Sequence, residues 1–253
     1  MNTIIEIFSQ FTNLELFAVA FILFFSTMIV RIAGFGGALV SMPIVVPILG
    51  LAAASPLMNL LGITTFSTVI LQKWRELTFK DMWRVALGNI AFVPVGIWIL
   101  GQVDELWLRL FFGVLCIGYV LIRLANVPPP VLKNPNWGWL YGMVSGIFTG
   151  TFSLGGTAAA LYADSQRWEP EPFRLNMFSF LAVTAYVNAI TRYFAGQFTL
   201  TVVLFWIFGS PCILLGIWAG ERLAVYVNKE MFQKLVLGLL VVLGGRLIYG
   251  VFL

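Results

Sequence analysis

The sequence predicts an all-α polytopic membrane protein with about ten helical segments in two inverted five-segment repeats, and with a short glycine-broken segment in each half. Three observations predict this fold class. The chain of 253 residues is 60% hydrophobic and only 10% charged, its apolar runs recur at the length of a bilayer crossing, and its two halves resemble each other. A soluble domain could not cover its surface with so few charges, so the main solvent is lipid.

The apolar runs define the predicted segments. About 20 apolar residues are needed to span a bilayer, and cutting the chain at charged or Pro/Asn-rich breaks leaves ten candidates. The second, sixth and seventh are short for a full crossing. Because no basic region precedes the first, we expect a spanning helix there rather than a cleaved signal. The ten segments are 14–33, 36–50, 56–74, 82–101, 106–125, 137–152, 155–164, 173–195, 199–220 and 231–252.

A polar stretch, "NVPPPVLKNPNW", divides the chain almost in half. Prolines disfavour helix and asparagines favour turns. We therefore expect a first membrane repeat at 1–125, a connecting loop at 126–136 and a second repeat at 137–253. Sliding one half over the other by about 120 positions places "GFGGALVSMP" on "SLGGTAAALY" and "PVGIWILG" near "LLGIWAG". This similarity predicts a gene-duplicated membrane protein.

The basic residues predict the orientation. Five segments per half is an odd number, so the second half enters the membrane from the opposite side. If the loop at 73–84 is cytoplasmic, eleven of the 15 Lys and Arg residues fall on that side, and Asp104 and Glu105 fall on the other. We expect a multi-pass protein of the cell (inner) membrane with both termini external. The same orientation follows if segments 1–2 and 6–7 are hairpins that only partly penetrate.

Composition argues against several classes of function. The basic residues are scattered singly, which gives no patch for nucleic acid. Histidine is absent, so there is no histidine-based triad or metal site. Cys116 and Cys212 lie far apart in apolar runs and are predicted to be core residues. No general base, nucleophile pair or metal cluster is recognisable, so we predict neither an enzyme nor a cofactor.

Two glycine breaks at matched positions are the first candidate binding feature. Interrupted short segments at corresponding places in two halves point to the binding site of a transporter. A helix amino terminus offers free N–H groups to an anion, and glycine lets the backbone approach closely. Packing is the alternative, and we favour it for the ridge of Gly142, Gly146 and Gly150. The candidates at the breaks are Gly34, Gly36, Gly37, Ser41, Ser153, Gly155, Gly156 and Thr157.

Two polar stripes with four-residue spacing are the second candidate feature. One comprises Thr64, Thr68 and Gln72, and its repeat mates are Thr184, Asn188 and Arg192. Each stripe lies on one helical face, which is not expected to face lipid. The alternative is interhelical hydrogen bonding, worth roughly 0.6 kcal/mol per contact.

The charged residues favour an anionic ligand. All 11 Asp and Glu residues fall in loops or at segment ends, which disfavours a carboxylate-lined cation pore. Arg31 and Arg192 are the candidates to balance the charge of a bound anion. Alternatively, Arg192 snorkels to the interface from the outer end of its segment, and Arg31 anchors the end of the first helix.

With "GFGGALVSMP", "GIFTGTFSLGGTAAAL" and about 250 residues in two related halves, the chain resembles the sulfite exporter TauE/SafE family over nearly its whole length. The second motif departs from the first at Ser153, in place of Gly34, and at Tyr162, in place of Pro43. The resemblance implies a carrier of sulfite, sulfoacetate or related organosulfonates.

The resulting expectation is a secondary transporter that works as an exporter by alternating access. A passive anion channel and a non-transporting membrane scaffold are the alternatives. The expected partners are a small anionic substrate, the lipid bilayer and, as one option, a coupled proton carried by the substrate itself. The sequence does not report on the oligomeric state.

Overall fold

The computed structural model describes residues 2–79, 82–124, 131–132, 134–224, 226, 237–238, 240–242, 244–245 and 249. Over these residues the fold is all-helical and contains no strand. Its helices are α1 (Asn2–Ser9), α2 (Asn13–Ala33), α3 (Gly37–Leu49), α4 (Leu51–Lys73), α5 (Trp83–Gln102), α6 (Glu105–Leu124), α7 (Trp137–Phe152), α8 (Gly155–Ser165), α9 (Pro170–Phe194) and α10 (Leu200–Leu223).

Nine of the predicted segments correspond to α2 through α10. The short helix α1 was not predicted from the sequence. The last predicted segment, 231–252, and the predicted connecting loop, 126–136, lie largely outside the described residues. Among the described helices, five are long and apolar enough to cross a membrane, namely α2, α4, α5, α9 and α10. The protein is therefore an integral membrane protein.

Each half begins with a hairpin of one longer and one shorter helix. The helix α2 is followed by the capping residue Gly34, whose φ of 89° lies in the left-handed region. The helix α3 begins at Gly37 and packs back against α2. In the second half α7 ends at Ser153, with φ 55°, and α8 packs back from Gly155. A left-handed residue after a helix directs its N–H back to the last carbonyls, which satisfies them where water is absent.

The first helix of each half packs against the fourth helix of the other half, counting α2–α5 in one half and α7–α10 in the other. The helix α2 contacts α10, α7 contacts α5, and α4 lies against α9. Glycines line these contacts: Gly96 lies against Gly150, and Gly216 lies against Phe24 and Thr27. A β-carbon at any of these glycines would collide with the neighbouring backbone or side chain, so glycine is what lets the helices approach so closely.

The predicted packing role of the α7 ridge is confirmed. Gly142, Gly146 and Gly150 lie against the backbone of α5, where a β-carbon would have no space. The predicted core position of Cys116 is also confirmed, because this thiol is fully buried in the main apolar core. The other free cysteine, Cys212, is only half-buried.

Candidate functional site

The first residues of the two short helices fix the geometry of the glycine breaks. Gly37 lies against Ser26 and Val30 of α2, where an added β-carbon would come within 2.6 Å of the Ser26 carbonyl. Gly155 packs in the same way against Ser145 and Thr149 of α7. Gly37 and Gly155 are therefore structural equivalents. The sequence pairing of Gly37 with Gly156 is wrong by one residue, because the first break contains one residue more between its cap and its helix.

The two breaks adjoin in the structure. A β-carbon placed on Gly156 would lie 3.6 Å from the Phe35 Cβ and 3.2 Å from Leu181 Cδ2. Phe35 itself lies between Gly34 and Gly36, and Gly36 adopts a φ of 92° with open space beside it. Neither α3 nor α8 has a side-chain cap at its amino terminus. The junction therefore combines accessible backbone with two uncapped helix starts, and both features favour an anion.

Arg192 is buried at the end of α7 and does not snorkel. The side chain has 0% exposure. Its Nη2 donates to the carbonyls of Thr149 at 3.1 Å and Gly150 at 2.7 Å, and to the hydroxyl of Ser55 at 2.7 Å. These carbonyls end α7, where the helix dipole favours a positive charge. The predicted alternative of an interfacial anchor is thus wrong, because α7 and α4 provide enough acceptors to keep the guanidinium inside.

The remaining partners of Arg192 are also neutral. Its Nε donates to Asn188 Oδ1 at 3.2 Å and its Nη1 to Gln197 Oε1 at 2.6 Å. Ser153 Oγ lies 3.4 Å from Nη2. None of the ion pairs formed by the described residues includes Arg192. A buried cation held only by neutral groups is electrostatically costly, and an anion placed beside it would lower that cost. We call Arg192, Asn188, Ser55, Ser153 and Gln197 the Arg192 cluster.

Arg31 is neutralised within the protein. Its side chain is 5% exposed and forms an ion pair with Glu221 near the end of α10, while also donating to Gln72 Oε1. The helix α10 extends past the predicted end of its segment at residue 220, which brings Glu221 into reach. Of the two predicted charge-balancing arginines, only Arg192 therefore retains an uncompensated charge.

Arg174 is a residue that the sequence reasoning missed. Its Cγ would lie 3.5 Å from a β-carbon on Gly34, and its guanidinium lies over the Phe178 ring at 5.7 Å. At the 120-residue offset of the two polar stripes on the same helices, the mate of Arg174 is Ala54, so the repeat comparison gave no signal for it. We call Arg31, Gln72, Glu221, Gly34 and Arg174 the Arg31 cluster.

The two polar stripes have different surroundings. Thr184 and Asn188 are buried, and Asn188 holds Arg192. Thr64 and Thr68 are half-buried, and Thr64 accepts a hydrogen bond of 2.9 Å from Trp206 Nε1 on α10. Thr68 and Thr184 donate to carbonyls of their own helices. Thr64 thus fits the alternative of interhelical hydrogen bonding, whereas Asn188 and Arg192 belong to the Arg192 cluster.

Ser41 and Thr157 form local hydrogen bonds. The Ser41 hydroxyl is buried and donates to the Gly37 carbonyl at 2.9 Å, with Met58 Sδ also at 2.9 Å. The Thr157 hydroxyl donates to the Leu154 carbonyl at 2.6 Å. Both side chains therefore stabilise the starts of their short helices in this structure.

Two apolar clefts lie elsewhere on the molecule. A cleft of about 320 Å³ is lined by residues such as Phe8, Leu23 and Phe205, and one of about 220 Å³ lies between Ile70 and Tyr186. Neither is lined by Arg192 or its partners. With 0% exposure, the side chain of Arg192 is closed off from solvent in the conformation described.

One protein-family model matches most of the chain. The model of the sulfite exporter TauE/SafE family matches residues 19–247, which contain both breaks and both clusters. The chain belongs to this family. Membership makes it a membrane transporter of the sulfite-exporter type and confirms the resemblance read from the glycine motifs. No curated protein and no solved structure matches the chain significantly.

Proposed function

We propose that this TauE/SafE protein is a secondary transporter that exports a small sulfur oxyanion, such as sulfite or an organosulfonate, by alternating access. The observation that carries the proposal is the buried Arg192, a full positive charge beside a helix break whose partners among the described residues are all neutral. Family membership supplies the class of substrate, and the electrostatics of Arg192 supply a reason for an anion to bind there.

In this proposal the anion binds where the two breaks adjoin. Arg192 supplies the charge, the Ser55 hydroxyl donates a hydrogen bond, and the start of α8 at Gly155 and Gly156 supplies backbone N–H groups. The Ser153 hydroxyl itself donates to the Ser55 carbonyl at 2.7 Å. Because Arg192 is closed off, the substrate reaches it only after a hairpin or a long helix moves. That requirement favours a carrier over an open pore.

The packing supports two inverted repeats as the moving parts. The first helix of each half lies against the fourth helix of the other half, α2 against α10 and α7 against α5, so the two halves exchange equivalent contacts. On α9, Arg174 and Arg192 are separated by about 27 Å of helix, which approaches the thickness of the hydrocarbon core. The Arg31 and Arg192 clusters thus lie toward opposite ends of the same pathway and can open in turn.

The proposed orientation places Asp104 and both termini outside the cell membrane. A cysteine at Asp104 would then react with an impermeant maleimide in intact cells. Labelling only after permeabilisation would reverse the orientation without affecting the proposed site.

Transport in proteoliposomes tests the function. We expect wild-type protein to take up labelled sulfite and to be accelerated by unlabelled sulfite on the far side, since only a carrier shows such trans-stimulation. Arg192→Gln should reduce uptake by at least about tenfold. Arg75→Gln removes an exposed arginine that stacks on Trp74 and should leave uptake intact.

Three outcomes would contradict the proposal. Uptake without trans-stimulation would indicate a passive channel. Absence of uptake of sulfite and organosulfonates by well-folded wild-type protein would indicate a scaffold. Full uptake by Arg192→Gln would remove Arg192 from the binding site.

A further inference from the structure

We infer that the Arg192 cluster selects monoanions, so that hydrogen sulfite and monosulfonates bind and dianions of similar size are rejected. This inference rests on the proposed function and narrows its substrate class. Among organosulfonates, it predicts that methanesulfonate, with one negative charge, binds and that sulfoacetate, with two, is rejected.

The first step is the charge available to a ligand at this cluster. Arg192 is the one full positive charge among the cluster's members, and Ser55, Ser153, Asn188 and Gln197 are all neutral. The terminal carbonyls of α7 offset part of that charge, by up to roughly half an elementary charge. A monoanion would therefore neutralise the site, whereas a dianion would leave a net negative charge in a dry environment, which is costly.

The second step is that the other two arginines near the breaks do not belong to this cluster. Arg31 is paired with Glu221. Arg174, whose buried Nε has no hydrogen-bond partner among the described residues, lies beside the other break at Gly34, about 27 Å along α9 from Arg192. Near the start of α4, the Glu105 carboxylate binds Arg109 at 2.8 Å and accepts the Leu51 N–H at 2.6 Å. That ion pair is internally neutral, so it adds no positive charge for a second negative group.

The third step is the position that the anion would take. Gln197 belongs to the loop between α9 and α10 and is half-buried, whereas Asn188, Ser55 and the residues of the α7 carbonyls are buried within helices. Its Oε1 accepts from Arg192 Nη1 at 2.6 Å. Gln197 is therefore the partner that a small loop movement can withdraw. Its amide oxygen stands where an oxygen of the bound anion would stand.

Competition in wild-type proteoliposomes tests the charge selectivity directly. Methanesulfonate and sulfate are close in size and shape but carry one and two negative charges. We expect methanesulfonate to inhibit labelled sulfite uptake at a concentration at least about tenfold lower than sulfate does, because burying the second charge is unfavourable. Equal or stronger inhibition by sulfate would overturn the inference and leave the proposed sulfite transport standing. Failure of wild-type protein to take up sulfite at all would overturn both.

A substitution at Gln197 tests the position without removing the arginine. Gln197→Glu places a carboxylate of nearly the same shape against Arg192. The resulting ion pair should raise the thermal midpoint of unfolding yet reduce sulfite uptake at least about tenfold, because the internal carboxylate competes with the substrate. Gln102→Glu, which adds the same carboxylate at an exposed position at the end of α5, should retain the wild-type uptake. A Gln197→Glu protein that folds and transports like wild type would overturn the inference.

Discussion

Arg31 and Arg192 each join two helices of their own half, but only Arg31 forms an ion pair among the described residues. Arg31 joins the end of α2 to Gln72 on α4, and Arg192 joins α9 to the carbonyl of Gly150 near the end of α7. Gly150 is the repeat mate of Arg31, and Arg192 is the mate of Gln72. Each half thus links its hairpin to its third helix through one arginine. In the first half the arginine is on the hairpin, and in the second half it is on the third helix. Glu221 neutralises Arg31, whereas Arg192 has no ion pair among the described residues and is the arginine that we propose binds the anion.

Removal of the Glu221 carboxylate should destabilise the fold. Glu221→Gln leaves Arg31, which is 5% exposed, with only neutral partners. Breaking a buried ion pair costs several kcal/mol, and the 37% exposure of Glu221 reduces this to about 1–3 kcal/mol. A lower thermal unfolding midpoint in detergent would show the loss. Glu76→Gln, which breaks an exposed pair with Lys73, is the matched control and should change the midpoint little. Equal midpoints for both variants would contradict this role of Glu221.

The sequence identified Arg192 as a candidate but not its surroundings. Its position near a segment end allowed an interfacial anchor as well as a binding role, and sequence spacing alone does not separate them. The deciding acceptors are Ser55 and the carbonyls of Thr149 and Gly150, which come from helices far away in the chain. Gln197 carried no signal, because it follows α9 in a loop outside both polar stripes.

At the scale of elements, neighbouring glycines of one helix break have different roles, one in helix packing and one at the junction of the two breaks. Gly155 faces α7 with no space for a side chain, whereas the neighbouring Gly156 faces the other break at Phe35. Glycine is thus required at the first position by close approach, whereas a β-carbon at the second would meet only the side chains of Leu181 and Phe35. A substitution at Gly37 or Gly155 should therefore change the stability of the fold, whereas a substitution at Gly156 changes the contact between the two breaks.

Two adjacent alanine substitutions should have different effects. Gly155→Ala places a methyl group on the Thr149 hydroxyl and within 3.0 Å of the Ser145 carbonyl, and should cost about 1–3 kcal/mol. Gly156→Ala meets Leu181 Cδ2 at 3.2 Å, at the flexible end of a side chain, and should stay within about 0.5 kcal/mol of wild type. Thermal unfolding of the two purified variants measures the difference. Similar midpoints would contradict the assignment of Gly155 as the packing glycine.

Helix positions were predictable because lipid imposes a length. Each apolar run of sufficient length became a helix among the described residues, and the glycine pairs marked where α2 and α7 turn into their short partners. The sequence comparison paired Gly37 with Gly156, one residue away from its structural equivalent Gly155, and this shift was not predictable. It depends on where the left-handed residue sits relative to the next helix, and Gly34 to Gly37 contains one more residue than Ser153 to Gly155. Helix α1 was missed because eight residues are too few for a spanning signal.

At the scale of the whole molecule, any movement of one half against the other would change the junction of the two hairpins. The hairpins come from different halves, pack against different long helices and meet at Phe35 and Gly156. Alternating access by one half against the other would separate or rotate these two tips. A static channel would keep them together throughout transport.

A disulfide across the tips should therefore arrest transport. The Phe35 Cβ lies 3.6 Å from the position of a β-carbon on Gly156, within the range of 3.5–4.5 Å that disulfides require. We expect the Phe35→Cys/Gly156→Cys protein, built on Cys212→Ser, to lose sulfite uptake upon oxidation and to regain it after reduction. Uptake before and after dithiothreitol in the same proteoliposomes provides the measurement.

The two single cysteine variants are the controls for that experiment, because they carry the same side-chain changes without the possibility of a cross-link. Their uptake should not respond to oxidant or reductant. If the double variant is cross-linked completely and still shows trans-stimulated sulfite uptake, the hairpin tips do not move relative to each other. Substrate access would then have to come from movement of α4 or α9 around a fixed junction, with Gln197 rather than a hairpin as the part that opens Arg192.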